Sequence, residues 1–232
     1  MRGAVAAVHD PRWGYQRLDA RRYDRRRYGS PMRRLNLRRL ERAIDRALGD
    51  LPAGSLVLDA PCGTGVLGHV LRARGFRVVG LDISAAMLAV ARERGTLGHV
   101  RGDITRLPLR PRSVDAVVCN RFLMHLTAER RTQAYAALAQ LTKGPLIATV
   151  CHPYTTKSMT RRLRRFLGWR SVGWRVKESP RLTRAELEAE VAAAGLHLER
   201  VERVLPLFSE VWVAVITRPA ATSYQPERGD RK

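Results

Sequence analysis

Between residues 56 and 150, short apolar runs of strand length alternate with segments of helical periodicity. Strands are expected at 56–58 (LVL), 76–81 (FRVVGL), 99–101 (HVR), 114–119 (VDAVVC) and 145–150 (PLIATV). Helices are expected over 66–74, 84–94 and 127–141, the first two closed by Gly75 and Gly95. Strands that are apolar along their length leave no side for water, and a helix between each pair supplies the crossover. That combination points to a parallel sheet covered on both faces. Further on, Thr183-Arg-Ala-Glu186 has the form of a capping box opening a helix to residue 194, with Gly195 behind it. Two closing strands are expected at 197–204 and 211–217, joined by a loop with Pro206. A chain of 232 residues accommodates one such domain with additions, and not two.

The material flanking this core is basic. The formal net charge is +22, and residues 1–50 hold 14 arginines against 6 acids. Residues 157–184 hold 10 Arg and Lys against 1 acid. Such patches attract phosphates, nucleic acid or anionic membrane surfaces. A compositionally biased genome would equally produce a chain this rich in Arg, Ala, Leu and Val. Residues 1–30 interleave Trp13, Tyr15, Tyr23 and Tyr28 with arginine and break at Gly29-Ser30-Pro31. An amphipathic helix is expected over 32–48, from Leu35, Leu37, Leu40, Ile44, Ala47 and Leu48. In 159–169 (MTRRLRRFLGW), apolar residues at 159, 163, 166 and 167 stand among arginines. A basic amphipathic helix there suits a membrane surface, or packs on the domain with its arginines solvated. Residues 218–232 are polar with two prolines and are expected to be a disordered tail.

No apolar run approaches the roughly 18 residues of a membrane span, and 4–8 is too short for a signal-peptide core. Cys62, Cys119 and Cys151 form an odd set without C-x-x-C pairing, so a reduced, cytoplasmic protein is expected. The histidines show no metal-ligand spacing, and no metal is expected.

Gly63-x-Gly65-x-x-Gly68 follows a strand and opens a helix, a pattern shared with dinucleotide sites. Asp59, directly before the turn, argues against a diphosphate, which such a turn would otherwise cradle on its backbone amides. A carboxylate there suits a ligand carrying an ammonium and a sulfonium. Asp82 ends the second strand, where a carboxylate accepts bonds from ribose hydroxyls. Asp103 follows the third, within reach of an adenine amino group. Either residue would also serve as a plain helix cap. Three acids at the carboxyl ends of consecutive strands nevertheless converge on the edge where open α/β sheets bind ligands.

Leu58-Asp-Ala-Pro-Cys-Gly-Thr-Gly65, Gly80-Leu-Asp-Ile-Ser-Ala-Ala-Met-Leu88, Gly102-Asp-Ile-Thr-Arg-Leu-Pro-Leu109 and Ser113-Val-Asp-Ala-Val-Val-Cys-Asn120 resemble successive motifs of the class I S-adenosylmethionine-dependent methyltransferases, type 11-like. Residues 180–217 resemble the last helix and closing hairpin of that family. The resemblance implies an α/β, Rossmann-like doubly wound sheet of seven strands, mostly parallel, with one antiparallel strand near the C-terminal edge. It implies S-adenosyl-L-methionine as cofactor. Asp59, Ala60, Gly63 and Gly65 would contact the methionine part, Asp82 the ribose, and Ile83, Met87, Asp103 and Ile104 the adenine. Asn120 and Arg121 would line the pocket beside the methionine moiety. Pro61 departs from the glycine many members carry, although the D-x-P-C-G-T-G form also occurs. The implied plan is a basic N-terminal lid or helical segment over 1–50 and a methyltransferase domain over 51–217. A basic insertion falls at about 155–180, and the tail over 218–232.

A sulfonium methyl is already activated, so alignment matters more than acid–base chemistry. A general base is required only for an acceptor with a high pKa, and His125, His152 and Tyr154 are the candidates after the fourth and fifth strands. His125 and His152 read equally as packed side chains. A small-molecule or lipid-like acceptor is expected. RNA or another polyanion is the alternative that the charge favours, and a non-catalytic cofactor-binding protein is a third. Peripheral membrane contact fits the basic segments, and the oligomeric state is left open.

Overall fold

The computed structural model describes residues 20–104, 106, 108–155, 180–205 and 209–219. The expected basic helix at 159–169, Pro206 and residues 220–232 lie outside the described residues, as do Trp13 and Tyr15.

Seven strands form one sheet in the order β3-β2-β1-β4-β5-β7-β6. They are β1 (Leu56–Asp59), β2 (Arg77–Asp82), β3 (Gly98–Arg101), β4 (Ala116–Cys119), β5 (Leu146–Cys151), β6 (His197–Arg203) and β7 (Val211–Thr217). β1 to β5 pair in parallel, β7 runs antiparallel to β5, and β6, antiparallel to β7, returns to the common direction. The sheet is the expected seven-stranded α/β architecture with a single reversed strand. Its order changes direction between β1 and β4. Ligands bind outside the strand carboxyl ends at such a point, because the two flanking crossovers leave on opposite faces and open a crevice.

The period-2 alternation of strand side chains feeds two cores. On one face Leu58, Leu81, Val117, Leu146, Ala148 and Ile216 pack against α5 (Ala128–Leu141) and α6 (Arg184–Ala193) through Tyr135, Leu138, Leu187 and Val191. On the other, Val57, Val78, Ala116, Val118, Ile147 and Val215 pack against α2 (Pro31–Leu48) and α3 (Gly68–Ala73) through Leu40, Ile44, Leu48 and Leu71. Each large side chain buried this way contributes roughly 1.5–3 kcal/mol. α4 (Ala85–Arg92) covers the β2–β3 end of the sheet.

Local chemistry sets the helix ends. Ser30 accepts from Arg33 N at 3.3 Å and Pro31 occupies the first turn of α2. Thr183 and Glu186 make the reciprocal capping box of α6. Two elements differ from the sequence expectation. α3 begins at Gly68, two residues after the predicted start, because residues 63–67 are used in a turn. An additional helix, α1 (Ala20–Tyr28), precedes the 29–31 break. Its sequence ARRYDRRRY carries no apolar stripe, and its support comes from contacts to the pocket described below.

Arg131, a buried cation, joins α5 to α6. Its Nε and Nη2 donate to Glu190 Oε2 and Oε1 at 2.8 and 2.5 Å, and its Nη1 donates to Leu126 O at 2.8 Å. Removing one partner leaves a desolvated charge. Glu190→Ala is therefore expected to cost about 3 kcal/mol of unfolding free energy in urea denaturation. A loss below about 1 kcal/mol would show that the pair is not a structural requirement.

Candidate functional site

The turn after β1 is tied to the strands beside it. Ala60 N donates to Val118 O at 2.9 Å and Cys62 N to Leu81 O at 2.8 Å. Gly63 and Gly65 have φ of 54° and 74°, a region that side chains other than glycine rarely adopt. At Gly65 a Cβ would stand 3.0 Å from the Ala91 Cβ, so glycine lets α4 close on the turn. At Gly63 a Cβ would meet nothing within 4 Å, so that backbone faces open space.

Two carboxylates stand at this turn, and they differ. Asp82, 7% exposed, accepts from Gly63 N at 2.8 Å and from Ser84 N at 2.9 Å. Burial raises its pKa and the amide bonds oppose that shift. Asp59, 2% exposed, has an Oδ1 with no hydrogen-bond partner. Burial first, then the Asp82 charge, pushes its pKa up to about 8. Asp59 is therefore largely protonated at neutral pH in the free protein, and a cation placed against it would restore its charge. The same surroundings push the Cys62 thiol up, so it is a packed thiol and not a nucleophile. A Cβ on Gly80 would lie 2.9 Å from its Sγ.

The remaining expected positions lie in the segments that follow β2, β3 and β4. Ile83 follows Asp82 and Met87 is buried in α4, while Asp103 and buried Ile104 sit in the turn after β3. Asn120 and Arg121 leave β4 opposite the glycine turn. Fully buried Thr149 orders both, accepting from Arg121 N at 2.6 Å and donating to Asn120 Oδ1 at 3.2 Å. Arg121 has φ of 57°.

The three base candidates differ in exposure. His125 is on the surface, at the end of a 3-10 turn, Leu123–His125. His152 is 4% exposed and stacked on Trp212 at 4.4 Å. Its Nδ1 accepts from Tyr154 N at 3.1 Å, the ring also bonds the Ser209 backbone, and burial lowers its pKa. Tyr154, 52% exposed, completes the stack.

α1 lies across the glycine turn. Asp24 accepts from Thr64 Oγ1 at 2.7 Å and from Arg94 Nη2 at 2.5 Å, while Arg94 Nη1 donates to Thr64 O at 2.8 Å. Sequence reasoning missed Asp24, Thr64, Arg94 and Thr149. Thr64 stood inside the quoted motif, but its partner is 40 residues upstream in a stretch without periodicity.

Residues 57–144 match the family described as Methyltransferase domain. That match runs from β1 to just before β5 and makes the segment around the glycine turn similar to a methyltransferase domain. The chain is similar to relatives of differing acceptor. The chain is 36% identical over 136 residues to a malonyl-[acyl-carrier protein] O-methyltransferase of Pectobacterium atrosepticum, covering 53% of this chain and 53% of that one. It is 38% identical over 112 residues to a mouse 18S rRNA (guanine-N(7))-methyltransferase, covering 47% and 38% respectively. The chain thus spans about half or less of these relatives' lengths. Among solved structures, magnesium protoporphyrin IX methyltransferase from Synechocystis, with bound S-adenosylhomocysteine, superposes with a TM-score of 0.70 at 21% identity. That match covers 90% of this chain and 100% of the other, and shows the fold.

Asp59 gives the domain a measurable pH signature. In the unfolded chain it ionises near the ordinary carboxylate value of about 4, and in the folded free protein near 8. Between these values unfolding releases a proton. The stability this group contributes is full at low pH and falls as pH rises, by up to about 1.4 kcal/mol per unit. Asp59→Asn lacks that slope, so urea denaturation from pH 5 to 8 is expected to show the variant gaining on the wild type as pH rises. A constant difference would mean that Asp59 is ionised throughout.

Proposed function

We propose that this chain binds S-adenosylmethionine over the Asp59–Gly65 turn and transfers the methyl group to a small-molecule or lipid-like acceptor. The observation that carries the cofactor reading is the orphaned, buried Asp59 Oδ1 beside a glycine whose missing side chain opens the crevice. An ammonium is the ligand group that would satisfy that oxygen and draw off its proton. In this reading Asp59, Ala60, Gly63 and Gly65 hold the methionine part, Asp82 reaches the ribose, and Ile83, Met87, Asp103 and Ile104 surround the adenine. Asn120 is held by Thr149 at the mouth of the acceptor side.

When bound, the sulfonium supplies a methyl group that is already electrophilic. The work of the chain's own residues is alignment of an acceptor at about 3–3.5 Å and exclusion of water. In this reading α1, clamped by Asp24, closes the crevice and acts as a lid on a methyltransferase domain over 51–217. No helix among the described residues is long and apolar enough to cross a membrane. Three free cysteines fit a reducing, cytoplasmic setting. The acceptor class is supported by the relatives whose names specify an acyl-carrier-bound malonyl group and a magnesium porphyrin.

The net charge of +22 favours a second reading, methylation of RNA or another polyanion. Steeply salt-dependent RNA retention is its expected mark, and no retention at moderate salt counts against it.

Calorimetry of the full chain is expected to give a Kd below about 1 mM for S-adenosylmethionine. Affinity should rise with pH toward about 8, where Asp59 no longer has to release a proton. Asp59→Asn should weaken binding by about tenfold or more. A flat titration rejects the cofactor reading. Incubation with a cell metabolite extract should yield S-adenosylhomocysteine, and its absence with an intact cofactor site would point to a non-catalytic binding protein.

A further inference from the structure

Three arginines near the strand carboxyl ends or the helices behind them each hold a carboxylate: Arg94 with Asp24, Arg131 with Glu190, and Arg181 with Glu210. Arg121 does not. Its Nε is buried without a hydrogen-bond partner, and among the described residues no carboxylate is bonded to it. The groups that act on its charge are Arg27, Tyr28, Tyr23 and Cys151, and the first of these is a second cation. Arg27 itself sits 5.7 Å from the Tyr23 ring centroid. Desolvating a guanidinium beside another cation without a counter-anion is costly. The backbone adds strain, since Arg121 occupies the left-handed region at φ 57°, held there by the Thr149 hydroxyl.

The position of Arg121 makes these costs informative. It leaves β4 opposite the glycine turn, at the switch point of the sheet. α1 bridges the two sides: Asp24 bonds Thr64 within the turn, and Arg27 and Tyr28, about one helical turn further on, act on Arg121. The charge of Arg121 also reaches Cys151, directly before His152. There Tyr154, 52% exposed, stacks with buried His152 and Trp212 and is the open face of an aromatic wall.

We infer that Arg121, with Arg27 and Tyr28 from α1, forms the anion-recognising part of the acceptor subsite, and that the acceptor is a small molecule with an apolar body and a carboxylate. This rests on the cofactor reading above. The guanidinium fork matches a carboxylate in plane, and the aromatic wall takes the body. A carboxylate also suits a site in which both ring nitrogens of His152 are engaged, because it is ionised at neutral pH and needs no base. One carboxylate oxygen donates a lone pair to the methyl carbon as the carbon–sulfur bond breaks. The bonding pair stays on sulfur, the sulfonium becomes a neutral thioether, and no proton moves. The product is a neutral ester, which the two cations no longer hold, so transfer itself promotes release.

The test uses the full chain saturated with S-adenosylhomocysteine, titrated calorimetrically with 2-naphthoate, 2-naphthamide and inorganic phosphate. Naphthoate is expected to bind at least about tenfold more tightly than the isosteric amide or phosphate. Arg121→Gln and Arg27→Gln should each lose about tenfold in naphthoate affinity, and Arg27→Gln should bind S-adenosylhomocysteine within about threefold of wild type. Arg27→Gln, on a helix outside the core, keeps the test open if Arg121→Gln fails to fold. Equal binding of acid and amide overturns the inference. So does phosphate binding as tight as naphthoate, and so does a tenfold loss of S-adenosylhomocysteine affinity in Arg121→Gln, which would assign the arginine to the cofactor. Failure of the wild type to bind S-adenosylhomocysteine would instead reject the cofactor reading. Naphthoate titrated into the free protein then decides the anion site alone: loss of binding in Arg121→Gln upholds it, and unchanged binding overturns it.

Discussion

Asp82 at the end of β2 accepts one hydrogen bond from Gly63 in the turn after β1 and another from Ser84 at the start of α4. Those two amides belong to different loops, and a buried carboxylate is the group that draws both to one point. A backbone amide bonded to a charged acceptor in a low-dielectric setting is stronger than the same bond in water, and the loops are thereby fixed relative to the sheet. Ser84 can then cap α4, Ala91 of α4 can close on Gly65, and the turn takes the shape that leaves open the space a Cβ on Gly63 would fill. The neighbouring Asp59 is left without such partners, and Asp82 helps to keep it neutral.

The electrostatics of the carboxyl edge then read as a pattern of charges that are matched and charges that are not. Arg94–Asp24, Arg131–Glu190 and Arg181–Glu210 close on themselves and hold helices in place. Asp59 on one side of the switch point and Arg121 on the other have no such closure. An unmatched acid and an unmatched base facing one crevice correspond to a ligand set carrying a cation at one end and an anion at the other. Burial makes each of these vacancies costly, and binding relieves that cost. It also explains why a domain with so positive a surface need not engage a polyanion. The cation proposed to bear on the chemistry has a buried Nε and is selected by position and not by the sum of charge.

The strands and most helices were legible because periodicity and capping are local. The capping box at Thr183 and the apolar runs of β4 and β5 appear in the fold within one or two residues of where the sequence puts them. α3 starts late because Gly65 takes a positive φ, which a count of helical spacing does not register. The bounds of α1 were not legible: a helix of arginines and tyrosines has no stripe to betray it, and its anchor is a hydrogen bond to Thr64 and an ion pair to Arg94, 40 and 70 positions away. The same distance hid Thr149, whose hydroxyl sets Asn120 and Arg121 from the adjacent strand.

By itself the sequence determined a parallel-cored sheet and the edge at which its acids gather, since strand period, helix period and the chain position of Asp59, Asp82 and Asp103 are properties of neighbouring residues. Only the tertiary structure decided that backbone amides engage Asp82 while Asp59 Oδ1 is left without a partner. Hydrogen bonding and desolvation depend on what the other strands and α1 bring alongside. Asp82 is engaged by two loops and Asp59 by none; His152 is locked into a stack, and Arg121 Nε is buried without a hydrogen-bond partner. Residue type fixes what a side chain can do, and burial fixes what it must find to do it.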